Sequence, residues 1–176
     1  QTLWDKLKEC CKEDTREQRI DRVKLIMTVL MISQGVPFIH AGQEFCRTKN
    51  QDHNSYRSSD EINKIDFQRR INYQEVVDYT IDMIKLRKQF PHFRLTDMQQ
   101  ITQAVSFEED NHGMLIYRIN HQQQVVECLI NVTNHVIIHQ YPQAVRLIAN
   151  EAGLLTERMD MQIVTVNPRT VTIVVK

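Results

Sequence analysis

The 176-residue chain has no surplus of either charge, with lysine plus arginine and aspartate plus glutamate at 22 each. That balance removes the electrostatic footing on which nucleic acid or an anionic membrane surface would be held. No CxxC pair occurs among Cys10, Cys11, Cys46 and Cys128. Neighbours such as Cys10 and Cys11 rarely bridge each other, so neither a disulfide framework nor a zinc site is expected, and a reducing compartment such as the cytoplasm is. His135 and His139 stand four apart in a stretch of β character with no acid or thiol beside them, which reads as a solvated strand pair. No metal and no cofactor is expected. No apolar run nears the ~18 residues that cross a bilayer, and the polar opening "QTLWDKLKECCKEDTREQRIDR" lacks the apolar centre of a signal peptide. The chain starts on Gln1, not methionine, so an upstream segment, with any targeting signal it carries, is expected. There is no internal repeat and no low-complexity tract. What is present is ordinary globular composition, 41% hydrophobic and 25% charged, enough for one domain or two small ones.

The chain falls into two halves of different period. Over 14–33 the spacing of Ile20, Val23, Met27 and Leu30 predicts a helix, with Asp14 as its cap and Glu17 three residues on. Its second half, "LIMTVLMI" (25–32), is apolar on nearly every side and demands cover on more than one face. A second helix is predicted over 73–89, with Tyr73, Val77, Ile81 and Ile84 on one stripe and Phe90-Pro91 as its stop. Beyond about residue 96 the period becomes 2. Val126, Cys128, Ile130 and Val132 share one face of a strand, and so do Val171, Ile173 and Val175. Turn signals at 109–113, 120–124, 150–153 and 167–169 then predict an antiparallel sandwich of seven or eight strands. The sequon Asn131-Val132-Thr133 lies in one of these strands and carries little weight.

Between the helices lies "GVPFIHAGQE" (35–44). Five residues, "VPFIH" (36–40), read as a strand covered on both faces, of the kind found in parallel sheets. In such folds ligands gather where strand gives way to loop. Gly42 lets the backbone turn there, Gln43 and Glu44 follow, and a long polar stretch runs from 45 to 72. Structureless loops of that length are uncommon unless functional.

Four motifs in order carry a resemblance. "SQGVPFIHAGQEFCRTK" (33–49) resembles the last-strand motif of the α-amylase clan of glycoside hydrolases, and of the type I pullulanases in particular. "HNSYRSSDEINKIDF" (53–67) resembles their following loop, with Ser59 in place of the usual proline and Phe67 in place of tryptophan. "IKLRKQFPHFR" (84–94) resembles the end of their eighth barrel helix. "QTLWDKL" (1–7) resembles the segment after the motif bearing their third catalytic carboxylate. The resemblance implies an α+β chain. Residues 1–95 would be the C-terminal remnant of a catalytic (β/α)8 barrel, holding its last strand (36–40) and last two helices, and residues 96–176 a β-sandwich domain.

A retaining glycoside hydrolase needs a nucleophilic carboxylate and a carboxylic acid about 5 Å apart. The resemblance puts these upstream of Gln1, so no catalytic residue is assigned within the chain and the chain alone is expected to be inactive. It assigns substrate binding to Asp60, Asn63 and Lys64, and a supporting role to Gln43, Glu44, Asn54 and Tyr56, with Arg47 paired to one of the acids. The implied activity of the intact polypeptide is cleavage of α-1,6 branch links in pullulan-, starch- or glycogen-type glucans. The implied partners are α-glucan and the upstream barrel. Cut from that barrel, the chain is expected to bare the helix over 25–32 and the strand 36–40, and to self-associate. The alternative is a stand-alone, non-enzymatic α+β module that binds carbohydrate or protein.

Overall fold

The computed structural model describes all residues, Gln1–Lys176. The helices lie within the first 104 residues: α1 (Leu3–Cys10), α2 (Arg16–Ile32), the short α3 (Asp60–Asn63) and α4 (Gln68–Asn72), α5 (Gln74–Gln89) and α6 (Met98–Ala104). Seven strands follow: β1 (Val105–Glu109), β2 (Met114–His121), β3 (Gln124–Asn131), β4 (Ile137–Asn150), β5 (Gly153–Leu154), β6 (Asp160–Val166) and β7 (Thr170–Val175). No helix is long and apolar enough to cross a membrane.

Helix α2 is capped one residue later than expected, at Thr15. Thr15 accepts from the Gln18 N–H and the Gln18 side chain accepts from the Thr15 N–H, a complete capping box. Asp14 is drawn away instead by Arg22, whose Nε stands 2.5 Å from its carboxylate. The C-terminal end of α2 is tied to α5 by one buried cation. Arg87 donates to the carbonyls of Met31 (2.6 Å), Ser33 (2.7 Å) and Gly35 (2.6 Å), carbonyls that a helix end and its exit would otherwise leave unpaired.

The strands form one antiparallel sheet in the order β1-β2-β3-β7-β4-β5, with β6 pairing only β4, not the two facing sheets expected. The cause is the length of β4. Its later residues pair with β7 while its earlier ones pair with β6, and the register shifts between Gln140 and Val145, around Pro142. Proline has no N–H to give a ladder and sits where a strand bulges and bends. The sheet therefore curls over itself around Met114, Ile116, Leu129, Tyr141, Val164 and Val174. Its other face presents Val126, Cys128, Ile130, Val171, Ile173 and Val175 to α2 and α5. The alternation legible in the sequence is thus a division between a helix-facing and a curl-facing side. Strands β3 and β7 are buried on both.

Of the two segments expected to be bare, the helix over 25–32 is covered, while residues 36–40 are left unpaired with Val36 and Phe38 in solvent. The all-round apolar half of α2 finds its cover inside the chain: Met27, Thr28, Met31 and Ile32 are buried, and among residues 25–32 only Val29 is exposed. One side packs on α1 and α5 around Trp4, Val23, Met27 and Val76, the other on the sheet. Residues 36–40 pair with no strand. A strand is a product of its neighbours, and no other segment of the chain lies beside this one to complete a ladder. Val36 (96% exposed) and Phe38 (82%) stand in solvent. Asn131 of the sequon is buried and gives its amide to the carbonyls of His135, Val166 and Asn167, which withholds it from modification.

Candidate functional site

The candidate site is the segment 41–72, folded over α1 and the N-terminal half of α5. It is no featureless loop, since it holds single turns at Gln43–Phe45 and Ser55–Arg57 as well as α3 and α4. Gly42 starts it in the left-handed region (φ 87°), and a Cβ there would lie 2.9 Å from Cβ of Arg47. Only glycine satisfies both demands. The Gly42 carbonyl then accepts from the N–H groups of Phe45 (3.2 Å) and Arg47 (2.9 Å), which closes the turn.

Beneath the segment runs a continuous set of polar contacts that the sequence reading did not assign. Asp5 of α1, fully buried, accepts from the Thr48 hydroxyl (2.5 Å), the Lys49 N–H (2.7 Å) and the Thr2 hydroxyl (2.8 Å). Burial pushes its pKa up, but the donors at Thr48, Lys49 and Thr2 outweigh burial and hold the carboxyl below its usual range. The Lys49 ammonium reaches Oγ of Ser55 (2.7 Å) and Oδ1 of Asn63 (3.1 Å). The Asn63 amide in turn donates to the carbonyls of Ser55 (2.7 Å) and Ser58 (3.0 Å). Arg47 donates to the carbonyls of Ala41 and Asn63, not to an acid as expected. Planar guanidinium donors suit converging carbonyls as well as carboxylates. Arg69 holds the Cys46 carbonyl. The Cys46 thiol is buried and its pKa is pushed up to about 12, which makes it a packing residue.

The expected site residues are spread across the segment. Asp60, at the first turn of α3, is exposed, and its carbonyl accepts from the Lys64 N–H. Lys64 pairs with Glu61 (2.7 Å) in solvent. Asn63 has both amide hydrogens committed within the segment, so it shapes the platform that presents Asp60. Gln43 donates to Sδ of Met27, which seats the turn on α2. Glu44 lies on another wall, where it lines a groove of about 460 Å³ with Ile39, Phe45, Phe67, Arg70 and Ile81. Asn54 is exposed and its N–H donates to Asp52, while Tyr56, 72% exposed, lies under the Arg57 guanidinium. The structure thus joins Asn63 to Lys49 and Ser55 and leaves Asp60 and Tyr56 free on the outer surface.

No family model matches the chain. It is 38% identical over 129 residues to the pullulanase of Bacillus subtilis strain 168, covering 72% of this chain and 18% of that protein. It is 29% identical over 135 residues to the glycogen debranching enzyme of Escherichia fergusonii, covering 70% of this chain and 20% of that protein. The solved pullulanase from Bacillus acidopullulyticus superposes with a TM-score of 0.90 at 29% identity, over 99% of this chain and 23% of that one. The type I pullulanase of Bacillus subtilis strain 168, solved in complex with maltose, gives 0.89 at 29% identity, over 97% and 25%. The chain spans about a fifth of the curated relatives it matches and about a quarter of these solved ones.

Proposed function

We infer, from a chain related to the pullulanases over most of its length, that it is the closing segment of a pullulanase-type glycoside hydrolase. In this reading residues 36–40 are the last strand of a (β/α)8 barrel, and α2 and α5 are its last two helices. The curled sheet, with residues 96–176, is a supporting domain. The observation that carries the reading is an apolar segment, "VPFIH", that holds Val36 and Phe38 in solvent and lines an apolar groove with Ile39, while two solved pullulanases superpose on nearly the whole chain. Strands of the remaining barrel are the neighbours such a segment fits.

The acids of the segment support a binding role over a catalytic one. Asp60, Glu61 and Asp66 are all exposed, whereas a general acid is raised to its working pKa by an apolar, enclosed setting. The nucleophile and acid are therefore assigned to the upstream barrel. Asp60 supplies an acceptor for sugar hydroxyls, on a platform stiffened by Asn63 and Lys49. The substrate proposed for the whole polypeptide is an α-glucan with α-1,6 branch links. Alone, the chain is inactive and self-associates through the groove and Val36–Phe38.

The test joins the chain to its upstream coding sequence and measures reducing sugar released from pullulan and from amylose. Turnover of pullulan by the joined polypeptide, with none by the chain alone, is the expected result. Turnover by the chain alone that disappears on Asp60→Ala refutes the assignment of the acids. A clean monomer across a dilution series in light scattering refutes self-association.

A further inference from the structure

We propose that Asp5 is a positioning residue for α-glucan binding, acting through Lys49 and Asn63 to set the height and tilt of Asp60. The inference rests on the glucan reading above and names a residue which that reading does not use.

Asp5 is an expensive choice if stability is its only use. Its carboxylate is fully buried, yet every partner of its two oxygens is a neutral donor. An ionised group taken out of water without a counter-charge is costly unless hydrogen bonds replace its hydration in full. Three donors converge on it, and only a carboxylate can accept at both oxygens. Two of the three belong to the site segment and are consecutive, Thr48 and Lys49. Asp5 thereby fixes the backbone at Lys49, and the Lys49 ammonium fixes Asn63, which ends the single helical turn that Asp60 begins. The path from α1 to Asp60 is a series of short contacts with no solvent-exposed link before Asp60 itself. Replacing Asp5 by asparagine turns one acceptor into a donor facing a donor. The Lys49 anchor loosens, and Asp60 is then held by fewer fixed contacts.

The experiment uses the full polypeptide containing this chain and maltotriose as the probe, read by calorimetric titration. Asp5→Asn is expected to weaken maltotriose by about tenfold, one hydrogen bond's worth of placement, and to raise KM for pullulan with kcat nearly unchanged. The decisive measurement is coupling: Asp5→Asn added to Asp60→Ala should weaken binding no further than Asp60→Ala alone. A merely structural Asp5 would lower the melting temperature without that dependence on Asp60. Affinity within twofold of the unsubstituted protein, or full multiplication of the two effects, overturns the inference. If Asp5→Asn does not fold, Thr48→Ala keeps the carboxylate and removes one contact. It should weaken maltotriose about threefold, by part of one hydrogen bond, and unchanged affinity overturns the inference equally. An unsubstituted polypeptide that ignores maltotriose sinks the glucan reading itself, whereas normal binding with an insensitive Asp5 sinks this inference alone.

Discussion

Replacing Glu127 by glutamine should open the curled sheet from its centre. Glu127 of β3 is fully buried and accepts from the Tyr141 hydroxyl (2.7 Å), the Lys176 ammonium (2.6 Å) and Arg118 Nε. Those partners lie on β4, at the end of β7 and on β2, so one carboxylate ties four strands. Burial alone would raise its pKa. Lys176, Tyr141 and Arg118 more than reverse that and hold it below the usual glutamate range. Breaking a buried ion pair costs roughly 3–5 kcal/mol. The lower end or less applies here, because the Arg118 and Lys176 side chains are 29% and 39% exposed and recover water. Arg118 also keeps Glu108 at 2.5 Å. The loss expected for Glu127→Gln is therefore about 2–3 kcal/mol, or roughly 5–10 °C in melting temperature for a chain of this size. The sign with pH follows from the depressed folded pKa. The carboxylate's contribution is complete above its unfolded value, near ~4.3, and is lost as pH falls through the folded value below it. Urea unfolding followed by circular dichroism at pH 7 and pH 3 measures both effects. A variant within about 0.5 kcal/mol of the parent at pH 7, the range of an inconsequential surface change, refutes the reasoning. So does a gap between the two proteins that stays constant down to pH 3.

Gly42→Ala should cost about 1–2 kcal/mol from the left-handed backbone alone, and more from the 2.9 Å approach to Arg47. Faster amide exchange confined to 43–64 would be its signature, and an unchanged exchange pattern would contradict it. Arg87→Lys should fail to rescue the α2–α5 junction, because one ammonium on a flexible stem cannot reach three carbonyls as the guanidinium fork does. A loss of roughly 1–3 kcal/mol, the cost of leaving buried carbonyls unpaired, is expected in denaturant titration. A thiol reagent on the native chain should label exposed Cys10 and half-buried Cys11 first. Cys128 is fully buried and burial pushes its thiol up, so with Cys46 it should react only on unfolding. Early labelling of Cys128, read by mass spectrometry, would contradict the packing of β3 on the helices.

The sequence made the two long helices legible because each must bury a stripe, and a stripe leaves a period. Their caps were less so. Asp14 and Thr15 are both good caps, and the choice fell to Arg22, eight residues away. The alternation of β3 and β7 was plain, but alternation does not say what each face touches, and one curled sheet leaves the same mark as two stacked ones. The bend of β4 at Pro142 was the only local sign of the difference. Residues 36–40 carry strand composition without a strand, since pairing is a property of what lies alongside. At the site, Asp60, Asn63 and Lys64 were assigned through the resemblance, while the contacts of Asp5 and Lys49 beneath the segment went unassigned. A buried polar group is defined by distant partners, and Asp5 sits in a segment that looks like a solvated first turn. The one local hint was Thr2 three residues ahead of it, a capping pattern that the structure fulfils.

The face of the sheet that rests on α2 and α5 is not a seam. Phe90, Phe93, Tyr117, Ile148 and Ile173 belong to one continuous apolar body with Met31, Met83 and Leu86. Anyone hoping to exchange the strands for those of a cousin must therefore bring the inward stripes of both helices with them, or re-tailor two surfaces at once. What is inherited here as an exchangeable unit is the pairing of helices and sheet, not either partner.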